Sequence, residues 1–363
     1  MKKIFVLIIG CFAIGGLLTA QTLNVQVGQV KYQFPAEQAG VMNYTDGTTL
    51  TVMDKVFALA EVGSMFVNDD VVEDNRVSVV YDEASAKVVV AGNVAKYLTV
   101  SVSGAHVDIA QSEDLDQEIT YTLSGSSSDG EFYMSGSYKA TLELNGLTLT
   151  NKTPVKSGAA VHIQNSKRIK VKVMDGTTNT LVDCASGSQK GAFYVKGHPE
   201  FSKSGVLNVV GNLKHAIKSG EYIELKEATL NVTSAQGDGI NCAQYFLMKS
   251  GNVNIYNVTD DGIQCDIEDT EVGSTGETED HENEDSGNIY LEGGQITINT
   301  AGIAAKGVKS EGDLIVKGGT IAITTTGNGK WDEEDLKTKA SACLGSDAKV
   351  VISGGTLTLT STG

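Results

Sequence analysis

The chain has 363 residues, a formal net charge of −17 and only two arginines, Arg76 and Arg168. This balance excludes a reader of nucleic-acid phosphates, which needs a basic face, and it suits divalent cations. Three prolines against 41 glycines, with abundant Thr, Ser, Val and Asn, fit an exported all-β protein.

Met1-Lys2-Lys3, an apolar run from Ile4 to Leu18, and Thr19-Ala20-Gln21 predict a secretory signal peptide over residues 1–20. The run is too short to span a bilayer, so a secreted or cell-surface protein without a transmembrane segment is expected. Ile8-Ile9-Gly10-Cys11 is a partial lipobox, but the apolar stretch before Cys11 is short, and simple export is preferred over a lipid anchor. Residues 21–85 are read as a small N-terminal β region. Leu23 to Val27 and Val30 to Phe34 alternate apolar and polar residues around a break at Gly28-Gln29, and Thr49 to Val56 and Arg76 to Tyr81 read as further strands.

From residue 86 to 363 the reading is a right-handed parallel β-helix. Its first coils are irregular, with strands at Lys87 to Val90, Tyr97 to Val102, Ile119 to Leu123, Thr141 to Thr150 and Ile169 to Val173. A repeat of 23 residues then sets in: Leu207, Leu230 and Val253 share one phase, and Ile296, Ile321 and Leu357 continue it. Period-2 strands separated by Gly, Asn or Asp turns, recurring at this interval, specify a solenoid whose inward side chains stack from coil to coil. Two inserts, 269–286 and 327–337, must leave through corners as loops. The first carries an acidic run, read as a solvated loop or alternatively as a cation-loading or partner-binding arm. The last coil has no polar cap, so its edge calls for another coil, a second protomer or a C-terminal domain. Cys242, Cys265 and Cys343 are expected to stack in one phase, and these and Cys184 are expected to be free thiols rather than disulfides.

Asp238-Gly239-Ile240 and Asp261-Gly262-Ile263 repeat at 23 residues, which places the two carboxylates about 4.8 Å apart at a corner. Asp260 and Asp266 add oxygens nearby, and calcium takes six to eight oxygen ligands. The alternative is a plain tight turn, with Asp hydrogen-bonding its own backbone and Gly supplying positive φ. Trp331, the sole tryptophan, sits in the second insert and is a candidate sugar platform, as is Tyr245 in a coil strand. Lys196 and His198, with Lys214 and Lys218 in the next coil, could meet an acidic polymer or balance carboxylates. For a calcium-dependent lyase, Lys306 and Lys309 are the most plausible bases. No Ser-His-Asp pattern, zinc spacing or phosphate loop is present.

ATLELNGLTLTN over 140–151, GAAVHI over 158–163 and DGTTNTL over 175–181, with the Asp-Gly-Ile corners and the Gly-Gly-Thr strands opening at Gly318 and Gly354, resemble the secreted right-handed β-helix carbohydrate-binding proteins of polysaccharide-degrading bacteria. The likeness covers about 100–363. It implies calcium as cofactor and a polysaccharide partner, either cellulose or an acidic plant polymer such as polygalacturonate. It also implies a fold like that of pectate lyases but a binding role rather than a catalytic one. A calcium-dependent polysaccharide lyase is the alternative, and a surface adhesin or structural spacer is the third reading.

Overall fold

The structure, a computed structural model, describes residues 21–40, 42–267, 284–334 and 336–363. The expected signal peptide with Cys11, and most of the first insert, lie outside the described residues. No helix among the described residues is long and apolar enough to cross a membrane.

Each coil contributes strands to three sheets that enclose one apolar core, the architecture of a parallel β-helix. Sheet I is ten-stranded. It opens with the antiparallel pair Leu98–Ser103 and Ala105–Gln111 and continues in parallel through Gly130–Ser135, Val161–Gln164, Gly191–Val195, His215–Ser219, Ile240–Ala243, Ile263–Asp266, Lys306–Ser310 and Ala342–Ser346. Sheet II runs in parallel from Ile169–Val173 through Pro199–Ser202, Ile223–Leu225, Tyr245–Met248, Asn288–Leu291 and Leu314–Val316 to Val350–Ile352. Sheet III runs from Thr178–Val182 through Val206–Gly211, Thr229–Ala235, Asn252–Val258, Gln295–Thr300 and Thr320–Thr325 to Thr356–Ser361. The long strand Ala140–Thr150 pairs with the first strands of both sheets II and III and joins them.

The expected apolar ladder is present. Leu207 faces Leu230, which faces Val253, then Ile296, Ile321 and Leu357. All but the terminal Leu357 are essentially sealed from solvent. A single coil could not bury these side chains; stacking does, at roughly 1.5–3 kcal/mol per side chain. On the last coil Val350, Val351, Ile352 and Leu359 are exposed.

The four described cysteines are free and buried. Cys242 lies opposite Cys265, as the repeat predicts. Cys343 does not join them: Cys265 faces Ser310, and Ser310 faces Ser346. The hairpin inserted before the last coil lengthens its corner, so residue counting does not carry the phase across it.

The N-terminal region is not set apart at residue 85. Arg76–Asp82 and Ser85–Ala91 form one antiparallel hairpin across that point. Arg76–Asp82 pairs in parallel with Ile119–Ser127, the strand on which Ala140–Thr150 stacks. Ser85–Ala91 pairs with Val30–Pro35, which pairs with Thr22–Val27. Phe34, Val77, Val79 and Val88 are buried in the same core as Leu142 and Leu144. The region therefore caps the first coil with mixed strands, which closes an otherwise open sheet edge.

Candidate functional site

Side chains alternate across a strand, and parallel register aligns equal positions of successive coils into rows along the helix axis. On the outer side of sheet I one such row reads Ser101, Asp108, Tyr133, His162, Tyr194, Lys218, Asn241, Gln264 and Lys309. Aromatic rings come first. Tyr133 and Tyr194 pack edge-on against His162, with centroids 4.8 and 5.0 Å away. The His162 imidazole is oriented by Ser157 Oγ at Nδ1 (2.8 Å) and Gln164 Oε1 at Nε2 (2.9 Å), and burial lowers its pKa. The amides and amines follow. The Lys218 ammonium donates to Asn241 Oδ1, and Asn241 Nδ2 donates to Asp238 Oδ2 at 2.9 Å. Burial lowers the Lys218 pKa, against the opposing pull of Asp266 and Asp238.

The corner entering sheet I from sheet III carries the paired aspartates. Here the side chain of one coil accepts the backbone N–H of the next. Asp238 N–H donates to His215 Nδ1 (3.2 Å), Asp261 N–H to Asp238 Oδ1 (3.1 Å), and Lys306 N–H to Asp261 Oδ1 (2.6 Å). Gly239 and Gly262 do not adopt the positive φ expected of them. They are required instead by close approach. A Cβ at Gly239 would lie 2.7 Å from the Gly262 carbonyl oxygen and 2.7 Å from Ile255 Cγ2; one at Gly262 would lie 2.4 Å from the Gly307 oxygen.

Asp238 and Asp261 are buried and Asp260 is exposed, yet one carboxylate oxygen from each of the three lies within 4.8 Å of the others. Burial first, and then the charges of Asp238 and Asp260, push the Asp261 carboxyl up to about 7, although the Lys306 N–H opposes this. Crowded anions of this kind are what a hard, oxygen-seeking cation relieves, and three carboxylate oxygens are a donor set of the type that calcium takes. Asp266 does not belong to this group. It closes the strand Ile263–Asp266 that Asp261 leads into, and it accepts from Gln264 Nε2 at 2.6 Å.

A family described as carbohydrate-binding domain-containing protein matches residues 103–363. The chain belongs to that family. No curated protein matches it. Among solved structures, a polysaccharide lyase-like protein from C. thermocellum, solved as a gadolinium derivative, aligns over 79% of this chain and 100% of its own at 18% identity and a TM-score of 0.48.

Of the four residues expected to bind ligand, Trp331, Lys196 and His198 fall on the two corners that flank sheet I, and Tyr245 opens a strand of sheet II. Trp331 is 59% exposed on the hairpin Lys330–Asp332 and Lys337–Lys339, which leaves from the same corner as the aspartates. On the opposite corner, leading to sheet II, Lys196 is exposed. His198 is close by, with Nδ1 2.5 Å from Glu221 Oε2 and its ring stacked on Tyr222 at 4.2 Å. Tyr245 continues that stack at 4.5 Å from Tyr222 but is only 2% exposed. It packs with Leu247 and Tyr290, and the end of the acidic run closes over this cluster: Glu284 is buried and accepts from Tyr290 Oη at 2.6 Å. Tyr245 thus presents no ring face to a sugar.

Of the row between the corners, residue-by-residue reading singled out only Lys218 and Lys309 and missed that they belong to one line. Its signal was nevertheless present: Lys218, Asn241 and Gln264 are spaced by 23, the interval of the aspartates themselves.

Proposed function

We propose that the protein is an exported, calcium-binding and non-catalytic polysaccharide-binding protein, that sheet I is its binding face, and that its ligand is an acidic plant polysaccharide. The observation that carries this reading is the row from Tyr133 to Lys309. Aromatic faces, amides and two lysines follow one another at a spacing of about 4.8 Å, flanked by the aspartate corner with the Trp331 hairpin on one side and by Lys196 and His198 on the other. Sugars are held by stacking on rings and by fixed polar groups, and lysine ammonium groups attract uronate carboxylates. Asp238, Asp260 and Asp261 would hold the calcium, which neutralises their corner and supplies positive charge beside the row.

A lyase is the second reading, favoured by one observation. Lys218 is a largely buried amine with a lowered pKa, linked through Asn241 to Asp238, and a lowered lysine is suited to proton abstraction. It is a better-placed base than Lys306, whose Nζ bonds the Ala304 carbonyl at 3.1 Å. Retention on polygalacturonate and on cellulose, with calcium and then with EDTA, tests both readings when ultraviolet absorbance is followed in the same samples. Retention on polygalacturonate that EDTA weakens, with no absorbing product, supports the binding protein. Absorbance that grows with time and is lost in Lys218→Ala would establish the lyase. Neither retention nor product would leave the adhesin or spacer.

A further inference from the structure

The row on sheet I ends, toward the N-terminal cap, in a cavity of about 150 Å³ that the polymer-binding reading does not use. Its floor is the outer side of the first strands of sheet I. Ser103 stands opposite His106, and Ser101 stands opposite Asp108. Glu131 follows His106 in the next strand, and Tyr133 follows Asp108. Its roof is the loop after Ala140–Thr150, and that roof is tied down. Asp129 Oδ1 accepts the N–H groups of Lys152 (3.0 Å) and Thr153 (2.9 Å), and Glu131 Oε1 accepts those of Val155 (3.1 Å) and Lys156 (2.6 Å). Asn151 Nδ2 donates to the other Glu131 oxygen at 2.7 Å. The Lys156 ammonium pairs with Asp108 Oδ2 at 2.6 Å and lies 5.2 Å from the centroid of the Tyr133 ring.

Two buried atoms of this frame are left over, Asn151 Oδ1 and His106 Nδ1, and of the two residues only His106 lines the cavity. His106 Nδ1 is buried and has no hydrogen-bond partner. The nearest carboxylate oxygen, Glu131 Oε1, is 3.5 Å away and already accepts two backbone N–H groups. A buried imidazole nitrogen without a partner forfeits its hydration with nothing in return, so such a group signals a missing hydrogen-bonding guest. The cavity holds roughly five waters' worth of liquid volume, enough for one compact polar ring. Its lining offers two serine hydroxyls, an imidazole, carboxylate oxygens and one ammonium, which together accept and donate in the pattern that a ring of hydroxyls requires.

We infer that this cavity is a subsite for a single sugar ring at the end of a glycan chain, lying at the head of the row that holds the polymer. The inference rests on the polysaccharide-binding reading but concerns different residues. The roof over the first strands stops a chain from running on past Tyr133, so a polymer on sheet I meets the cavity with its terminus. Asp108 and Glu131 bring negative charge and only Lys156 among the lining residues opposes it, so a neutral sugar that ends an otherwise acidic chain fits the cavity better than a terminal uronate.

The test uses the full chain and short oligosaccharides of defined ends, read by calorimetry and by the imidazole resonances of His106. The expected result is saturable binding that shifts the His106 resonances. Ser103→Trp, which fills the cavity from an exposed position, and His106→Ala should each weaken oligosaccharide affinity about tenfold. Retention on the insoluble polymer, which engages sheet I along its length, should change less than twofold. Equal melting temperatures for Ser103→Trp and the parent keep the result interpretable if His106→Ala is poorly folded. Oligosaccharide binding that leaves His106 unmoved and is indifferent to Ser103→Trp would overturn the subsite while leaving the polymer reading intact. Absence of binding to any glycan would overturn both.

Discussion

Sheets I and III are built from the same coils at the same spacing, yet they use their outer faces in opposite ways. The seven strands of sheet III contain no Asp, Glu, Lys or Arg, in a chain where a fifth of residues are charged. Its outward rows repeat one chemistry and consume it internally. Asn231 Nδ2 donates to Asn208 Oδ1, Asn254 Nδ2 donates to Asn231 Oδ1, both at 2.9 Å, and Asn252 Nδ2 donates to Thr229 Oγ1 at 3.0 Å. Sheet I changes chemistry at nearly every coil, from tyrosine to histidine to lysine to amide, and directs several of these groups toward its corners. A row that repeats serves stacking, because identical side chains satisfy one another. A row that varies forgoes that benefit, and its variation is the better indicator of a ligand.

The comparison sharpens first against the core, which sets the scale for what stacking contributes. Leu230, inward on sheet III and fully buried between Leu207 and Val253, should lose about 2–5 kcal/mol on replacement by alanine, through lost burial and the cavity left behind. Urea unfolding measures this. Glycan retention at a temperature where the variant is still folded should be unchanged; a loss of retention would mean that the two faces are not independent.

The aspartate corner, where the two sheets meet, comes next. The Asp261 carboxyl titrates near 7 in the fold and near 3.8 when exposed. The folded state thus holds a proton that the unfolded chain has released, and this group's contribution to stability falls as pH rises from about 4 to 7, then levels off. Asp261→Asn keeps an oxygen for the Lys306 N–H and removes the charge. In EDTA the variant should melt several degrees higher than the parent at pH 8, and the difference should vanish toward pH 4. Calcium should raise the parent at pH 8 and leave the variant nearly unmoved. A variant that melts lower than the parent at pH 8 in EDTA would show that neither the burial of the Asp261 charge nor its repulsion by Asp238 and Asp260 controls the stability of this corner.

How much of this was legible in the sequence follows from what each feature depends on. The Leu207-to-Leu357 ladder could be read directly, because inward positions obey the repeat and nothing else. The placement of Asp238 and Asp261 together at one corner was legible, but not the reason for the glycines beside them, since the approach of Gly239 to Ile255 is made by a strand of another sheet. Asp266 was misplaced because closeness in sequence does not survive the length of a strand. Tyr245 was misjudged because it packs with Tyr222, Leu247 and Tyr290 from neighbouring strands and corners, contacts that its own sequence neighbourhood does not reveal. The Cys343 phase failed at a corner of irregular length. Wherever the regular repeat decides the outcome, counting works; wherever a corner of irregular length or a contact from another sheet decides it, counting does not.

A smaller effect tests the uniform face itself. Asn231 both donates to Asn208 and accepts from Asn254, so Asn231→Ala should cost about 1–2 kcal/mol, two half-exposed hydrogen bonds, and leave glycan retention as it was. If retention fell instead, sheet III would be a binding face and its uniformity would have to be read as a lattice match rather than as self-satisfaction.

The smallest change in stability, and the most direct reading of sheet I, belongs to Trp331. Its ring is mostly exposed on a two-strand hairpin, paired with Thr338 in the other strand, so Trp331→Ala removes little buried area and should shift the melting temperature by less than a degree or two. A stacking platform loses its contribution entirely when the ring goes. An aromatic contact of about 0.5–1.5 kcal/mol beyond area burial corresponds to a several-fold weaker retention on polysaccharide. The same hairpin carries Lys339, whose ammonium pairs with Asp332 at 2.7 Å, so the strand pairing has support independent of the indole. Retention that is unchanged in Trp331→Ala but falls in Lys218→Ala would place the ligand on the row alone. Loss in both would extend the binding face from sheet I onto the hairpin at its corner.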